Sequence, residues 1–159
     1  MVDIGKVQLK TYSETETRKL GEVIGRNLTS GDVVALIGDL GAGKTCLTKG
    51  IAKTLGVSNQ YEITSPTFTI INEYPARHTL WHVDAYRLDS SQDILDAGFE
   101  DFFGSGGVVV IEWAEKIINI LPEDALIVNI TYVDDSTRTV ELLGKTEMIK
   151  KIEQGYMHQ

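Results

Sequence analysis

Apolar residues in this chain fall into two patterns: some recur at helical spacing, others form short unbroken runs. Leu20, Val23, Ile24 and Leu28 recur every three or four positions. Ser13 followed three residues later by Glu16 has the form of a capping box, so a helix of about four turns is expected beyond residue 13. From Lys44 onward Leu47, Ile51 and Leu55 are four apart, and Gly56 stands where a C-terminal cap glycine belongs. Between these segments, residues 33–37 (VVALI) are all apolar and bounded by turn residues, as a strand buried on both faces should be.

The rest of the chain reads less evenly. Residues 7–10 suggest a short strand. Residues 63–74 are β-branched and aromatic around Ser65-Pro66, and predict strand or extended loop. A strand is expected over 79–83, ending at Asp84, and a second, purer one over 107–112, ending at Glu112. Ser90 or Ser91 can cap a short helix through Ile94 and Leu95, interrupted at Gly98. Trp113, Ile117, Ile120 and Leu121 predict a helix stopped by Pro122. Residues 125–133 and 138–142 form a predicted β-hairpin around 134–137, and Met148, Ile149 and Ile152 mark a last helix. Strands interleaved with helices predict an α/β fold, a three-layer sandwich with a parallel sheet centre and an antiparallel edge hairpin.

Length adds one bound. At 159 residues the chain is expected to be a single domain, 1–159, with no Gly/Ser linker and no repeat. Charge adds another. Fifteen Lys and Arg against 23 Asp and Glu leave a net charge of -8, which argues against a chain that grips nucleic acid unaided. The single cysteine, Cys46, excludes an internal disulfide and fits a reducing compartment. It is expected to be a small residue packed against the sheet. No apolar run is long enough to span a bilayer, and the first ten residues lack a signal-peptide layout. A cytoplasmic location is expected.

The chemistry concentrates at Gly38-Asp39-Leu40-Gly41-Ala42-Gly43-Lys44-Thr45, which matches G-x-x-x-x-G-K-[ST]. An apolar strand precedes it and a helix follows, as the mechanism requires. Glycines let backbone N–H groups wrap a triphosphate, and the helix points its positive end at the phosphates. Lys44 is expected on the β- and γ-phosphates, and the Thr45 hydroxyl on Mg²⁺. A site of this kind needs an acid at the end of a neighbouring strand. Asp84 and Glu112 both qualify, and spacing alone does not choose between them. His82 has no Cys/His companions and is expected to be a packed or supporting residue rather than a zinc ligand. Residues 64–69 lie where nucleotide switches place a hydroxyl for the γ-phosphate.

Four motifs in order, Gly-Asp-Leu-Gly-Ala-Gly-Lys-Thr at 38–45, Ser-Pro-Thr-Phe-Thr at 65–69, His-Val-Asp-Ala-Tyr-Arg-Leu at 82–88 and Ile-Glu-Trp at 111–113, closely resemble the bacterial TsaE family. The resemblance runs from about Thr11 to Leu142. It implies a partner-dependent P-loop ATPase of tRNA threonylcarbamoyladenosine biosynthesis, with ATP and Mg²⁺ as cofactors. It implies as partners a threonylcarbamoyl-transferase subunit and a related dimerising subunit, tRNA being reached only through the complex. By position it makes Lys44 and Thr45 the phosphate and metal residues and places Thr67 in the switch-like segment. Asp84 becomes the Walker B-type acid, Glu112 the metal-side glutamate and Trp113 its neighbouring tryptophan. Thr11 and Arg138 become contacts of the adenine pocket. Ala114 departs from the family, where many members carry Pro.

Two other enzyme classes fit less well. GTPases of the common kind carry an Asn-Lys-x-Asp motif, and none occurs here. A small-molecule kinase needs an acceptor site and an Arg-rich lid, but Arg18, Arg26, Arg77, Arg87 and Arg138 are scattered. A nucleotide-gated assembly factor without effective hydrolysis is the non-enzymatic alternative.

Overall fold

The computed structural model describes residues 2–39, 41–64, 66, 71–88, 91–96, 98 and 106–158. Leu40 and Thr67 of the expected site, with Ser65, Phe68 and Thr69 of the switch-like segment, therefore lie outside the described residues.

The elements run β1 (Ile4–Thr11), α1 (Glu14–Arg26), β2 (Val33–Ile37), α2 (Lys44–Leu55), β3 (Ile71–Tyr74), β4 (Leu80–Asp84), α3 (Ser91–Asp96), β5 (Val108–Glu112), a 3-10 helix (Ala114–Ile120), β6 (Leu126–Tyr132), β7 (Arg138–Lys145) and α4 (Thr146–Met157). Among the described residues seven strands form one sheet in the order β1-β7-β6-β2-β5-β4-β3. Its centre, β6-β2-β5-β4, is parallel. β3 pairs antiparallel with β4 at one edge, and β7 and β1 run antiparallel beyond β6 at the other. The β6–β7 hairpin is therefore one strand in from the edge. β1 closes it along all eight of its residues, longer than the stretch 7–10 read from the sequence. The solvent side of β1 breaks its apolar run, so only pairing reveals its length.

Alternation along the central strands separates two cores. Val34 and Leu36 of β2 join Val108 and Val110 of β5 under α1 and α2, which contribute Leu20, Ile24, Leu47 and Ile51. Val33 and Ala35 join Val109 and Ile111 on the other face, under Ala114 and Ile117. Burial on both faces is why these strands read as apolar runs rather than alternating ones.

Helix α1 begins at Ser13, whose Oγ accepts from the Glu16 backbone N at 3.1 Å. The reciprocal half of the box is displaced by one residue: Glu16 Oε1 accepts from Tyr12 N at 3.3 Å. α1 and α2 cross closely because glycines face the contact. A Cβ on Gly21 would stand 2.2 Å from Leu47 O, and one on Gly50 2.1 Å from Arg18 O. α2 ends at Gly56 in the left-handed region, φ 93°, as its sequence position predicts.

The helix expected after Trp113 is a 3-10 helix, kinked at Ile117 (φ -133°, ψ 19°). Ala114, Ile117 and Ile120 also recur every third residue, which matches three residues per turn. Ala114 and Ile117 are buried. No helix among the described residues is long and apolar enough to cross a membrane.

Candidate phosphate-loop site

The parallel strands β2, β4 and β5 deliver their C-terminal ends to one edge of the sheet, where open α/β sheets place their ligand crevice. β2 runs into the glycine loop, β4 ends at Asp84 and β5 at Glu112. Asp84 and Glu112 are direct neighbours in the parallel register, and Glu112 also pairs with Leu36. The two acids that the sequence left unranked thus stand side by side.

Each loop glycine has its own reason. Gly41 (φ 81°) and Gly43 (φ 113°) take left-handed backbone, which L side chains adopt at a cost. A Cβ on Gly38 would stand 2.6 Å from Ile130 O. Gly43 also precedes α2 without capping it by a side chain, so the first N–H groups of that helix have no side-chain acceptor there. Ala42 N donates to Asp39 O at 3.0 Å and tightens the turn.

Lys44 folds back over this loop. Its Nζ donates to Gly38 O and, at 3.1 Å, to Asp39 O. It lies 3.8 Å from the centroid of the Trp113 ring. The residue is only 5% exposed, and burial pulls its pKa down, opposed by the carboxylates of Glu112, Glu115, Asp84 and Asp39.

Thr45 Oγ1 lies 3.2 Å and 3.3 Å from the two carboxylate oxygens of Glu112. Glu112 is 3% exposed, and its Oε2 lies 2.5 Å from Nε2 of His82, which is fully buried. Asp84 Oδ1 accepts from Tyr86 N at 2.8 Å, so this acid also caps the turn after β4. The donor set fits Mg²⁺: a hydroxyl and a carboxylate within one hydrogen bond of each other, with a second carboxylate adjacent, all hard oxygen donors. Among the described residues no cluster of three or more His, Cys, Asp or Glu could hold a metal by itself. Mg²⁺ sites completed by substrate phosphates and water do not need one.

The two residues expected at the adenine pocket lie in different surroundings. Thr11 is 0% exposed, and its hydroxyl is hydrogen-bonded to Thr17 Oγ1 at 2.7 Å. Strand β1 turns this residue inward, so it backs the wall behind Gly43, whose Cβ would stand 3.8 Å from Thr17 Cγ2. Arg138, its register partner across β1–β7, anchors the loop from outside. Its Nε donates to Ala42 O at 2.9 Å and one terminal nitrogen to Gly41 O at 3.3 Å. The other reaches Asp134 O at 2.6 Å, and the guanidinium sits 4.6 Å from the Tyr132 ring centre.

Cys46 is half-buried. Its Sγ donates to Glu14 O at 3.4 Å, at the start of α1, and burial raises its thiol pKa. Sequence reasoning missed Tyr86 and Lys116. The Tyr86 ring lies 4.9 Å from that of Trp113, and Lys116 Nζ donates to Tyr86 O at 2.6 Å. The available signal was position: an aromatic residue follows each acid-tipped strand, Tyr86 two places after Asp84 and Trp113 one place after Glu112.

Fold and site together define a P-loop-like α/β protein. The crystal structure of Bacillus subtilis YdiB superposes on it with a TM-score of 0.79 and 30% sequence identity, covering 97% of this chain and 95% of that one. The family described as "Threonylcarbamoyl adenosine biosynthesis protein TsaE" matches residues 11–140. The chain is 44% identical over 128 residues to the tRNA threonylcarbamoyladenosine biosynthesis protein TsaE of Treponema pallidum, across 80% of this chain and 93% of that protein. It is 42% identical over 121 residues to the protein of the same name in Haemophilus influenzae, across 76% and 75%. This chain belongs to the TsaE family.

Proposed function

We propose that this protein is the Mg²⁺-dependent ATPase subunit of the machinery that forms threonylcarbamoyladenosine in tRNA. The observation that carries the reading is the 3.2 Å approach of Thr45 to Glu112, which joins the end of the glycine loop to the acid on β5. In this reading the loop from Gly38 through Leu40, Gly41, Ala42 and Gly43 wraps the triphosphate with backbone N–H groups. Lys44 exchanges its bonds to loop carbonyls for phosphate oxygens. Thr45 and Glu112 hold the metal side, and Asp84 acts beside them as the Walker B-type acid. Mg²⁺ supplies charge neutralisation on the β- and γ-phosphate oxygens when bound. Thr67 belongs to the segment assigned to sensing the γ-phosphate. Arg138 keeps the loop shaped at the nucleoside end.

The partners in this reading are a threonylcarbamoyl-transferase subunit and its related dimerising subunit, in the cytoplasm. A net charge of -8 suits docking onto a basic protein surface and leaves tRNA binding to the complex. The isolated chain then hydrolyses ATP slowly, because positive charge beyond Lys44 and Mg²⁺ has to reach the γ-phosphate, and an arginine supplied in trans is worth roughly 10³–10⁵ in rate. The test is phosphate release at saturating ATP, alone and with both purified partners. Partner stimulation is expected. Full-speed turnover alone, unchanged by the partners, overturns partner dependence, and tighter binding of GTP than ATP overturns the nucleotide assignment.

A further inference from the structure

We propose that His82 is a positioning residue that sets the Glu112 carboxylate for Mg²⁺, an inference that rests on the ATPase reading above. By strand alternation His82 shares a face of the sheet with Asp84, and Glu112 shares that same face with Val110, the register partner of His82. The face is the one covered by α2, since Leu80 and Val110 belong to the core beneath that helix. Glu112 is thereby held from two directions. Nε2–H of His82 donates to Oε2 from within the sheet at 2.5 Å, while Thr45 Oγ1 meets the carboxylate from the loop at 3.2 Å.

Packing does not explain a histidine here. The ring is wholly buried, and Nδ1 has no hydrogen-bond partner among the described residues. An apolar residue of similar size would fill the volume without orphaning a polar atom. What the imidazole adds is one donor aimed at one carboxylate oxygen. A glutamate reaching the site on three rotatable bonds needs such a contact to keep its orientation, and partners behind a metal-binding carboxylate act on affinity through that orientation.

The experiment uses the full chain and titrates MgCl2 against ATP binding by calorimetry, beside a matched series in EDTA. His82→Leu removes the donor at similar volume. It should raise the Mg²⁺ concentration that half-maximally strengthens ATP binding by roughly ten-fold or more, the cost usual for losing such a support, and leave metal-free ATP affinity unchanged. His82→Gln, whose amide nitrogen reaches the position of Nε2, should restore most of the Mg²⁺ response, and His82→Asn, which is too short, should not. A folded His82→Leu with the wild-type Mg²⁺ response overturns the proposal. If the leucine variant does not fold, equal responses of the Gln and Asn variants overturn it. Wild-type protein whose ATP binding ignores Mg²⁺ overturns the underlying ATPase reading and this inference with it, a result distinct from a wild-type response that survives loss of His82.

Discussion

Lys44 and Trp113 are stacked, the ammonium nitrogen 3.8 Å from the centre of the indole ring. Trp113 reaches this place with φ 60°, the sole positive φ of a non-glycine residue among those described. Left-handed backbone is costly for a bulky side chain and persists where its surroundings hold it. Here the surroundings are Glu112 on β5 immediately before, the buried Ala114 immediately after, and the ring of Tyr86 at 4.9 Å. The strand end, the ring and the loop lysine form one unit.

That backbone gives a stability prediction free of any ligand. Trp113→Gly and Trp113→Ala both lose the ring contacts, but only glycine relaxes at φ 60°. The glycine variant should be the more stable of the two by about 1 kcal/mol. Urea unfolding of the pair decides it, and an alanine variant at least as stable would remove the argument for strain.

Lys44→Ala should weaken ATP binding by roughly ten-fold or more, since a charge-assisted contact is worth about 1.5–3 kcal/mol. Calorimetry at fixed Mg²⁺ reads this directly. Unchanged affinity would count against the loop as the triphosphate site.

Asp84→Ala and Glu112→Ala should each lower the hydrolysis rate more than they lower ATP affinity at saturating Mg²⁺, because their charges matter most as the γ-phosphate moves. Glu112→Ala should also cost about 1–3 kcal/mol of stability, since it strips the buried His82 of its acceptor. Comparing phosphate release, ATP affinity and unfolding midpoint for the two variants tests both statements. Loss of affinity equal to loss of rate would assign these acids to ground-state binding instead.

The α1–α2 crossing depends on glycine. Gly50→Ala places a methyl 2.1 Å from Arg18 O and 2.8 Å from Glu22 N, both backbone atoms. The helices must part, at a cost of about 1–3 kcal/mol that outweighs the better helix propensity of alanine. A thermal midpoint at or above wild type would show that the crossing yields easily.

Tyr156 carries a pH dependence. Burial first, then the Glu16 carboxylate, push its hydroxyl pKa up to about 12. The hydroxyl reaches Lys10 O and Glu16 Oε1, each at 3.4 Å. A folded pKa above the unfolded value of about 10 favours the protonated form in the folded state. Its contribution is therefore complete below about pH 10 and is lost as pH rises through about 12. Wild-type stability should fall more steeply over that window than that of Tyr156→Phe. Parallel urea midpoints for the two proteins would expose the error if the slopes coincide.

Features that depend on near neighbours in the chain were legible from the residues alone. The 38–45 glycine pattern, the Ser13 start and Gly56 end of helices, and the apolar runs of β2 and β5 are local rules of backbone sterics, capping and periodicity. They located the loop and offered Asp84 and Glu112 as its acids. Tertiary structure alone decided what those residues touch. Strand order made Asp84 and Glu112 neighbours, although they are far apart in sequence, and turned His82 and Thr45 onto the same carboxylate. Pairing with β7 carried β1 outside the hairpin and buried the Thr11 side chain. The α1–α2 crossing gave Gly21 and Gly50 their meaning, since a missing Cβ matters only when another backbone passes within reach. Hydrophobic periodicity says which face is buried. The partner across that face is set by packing between segments distant in the chain, and no local pattern records it.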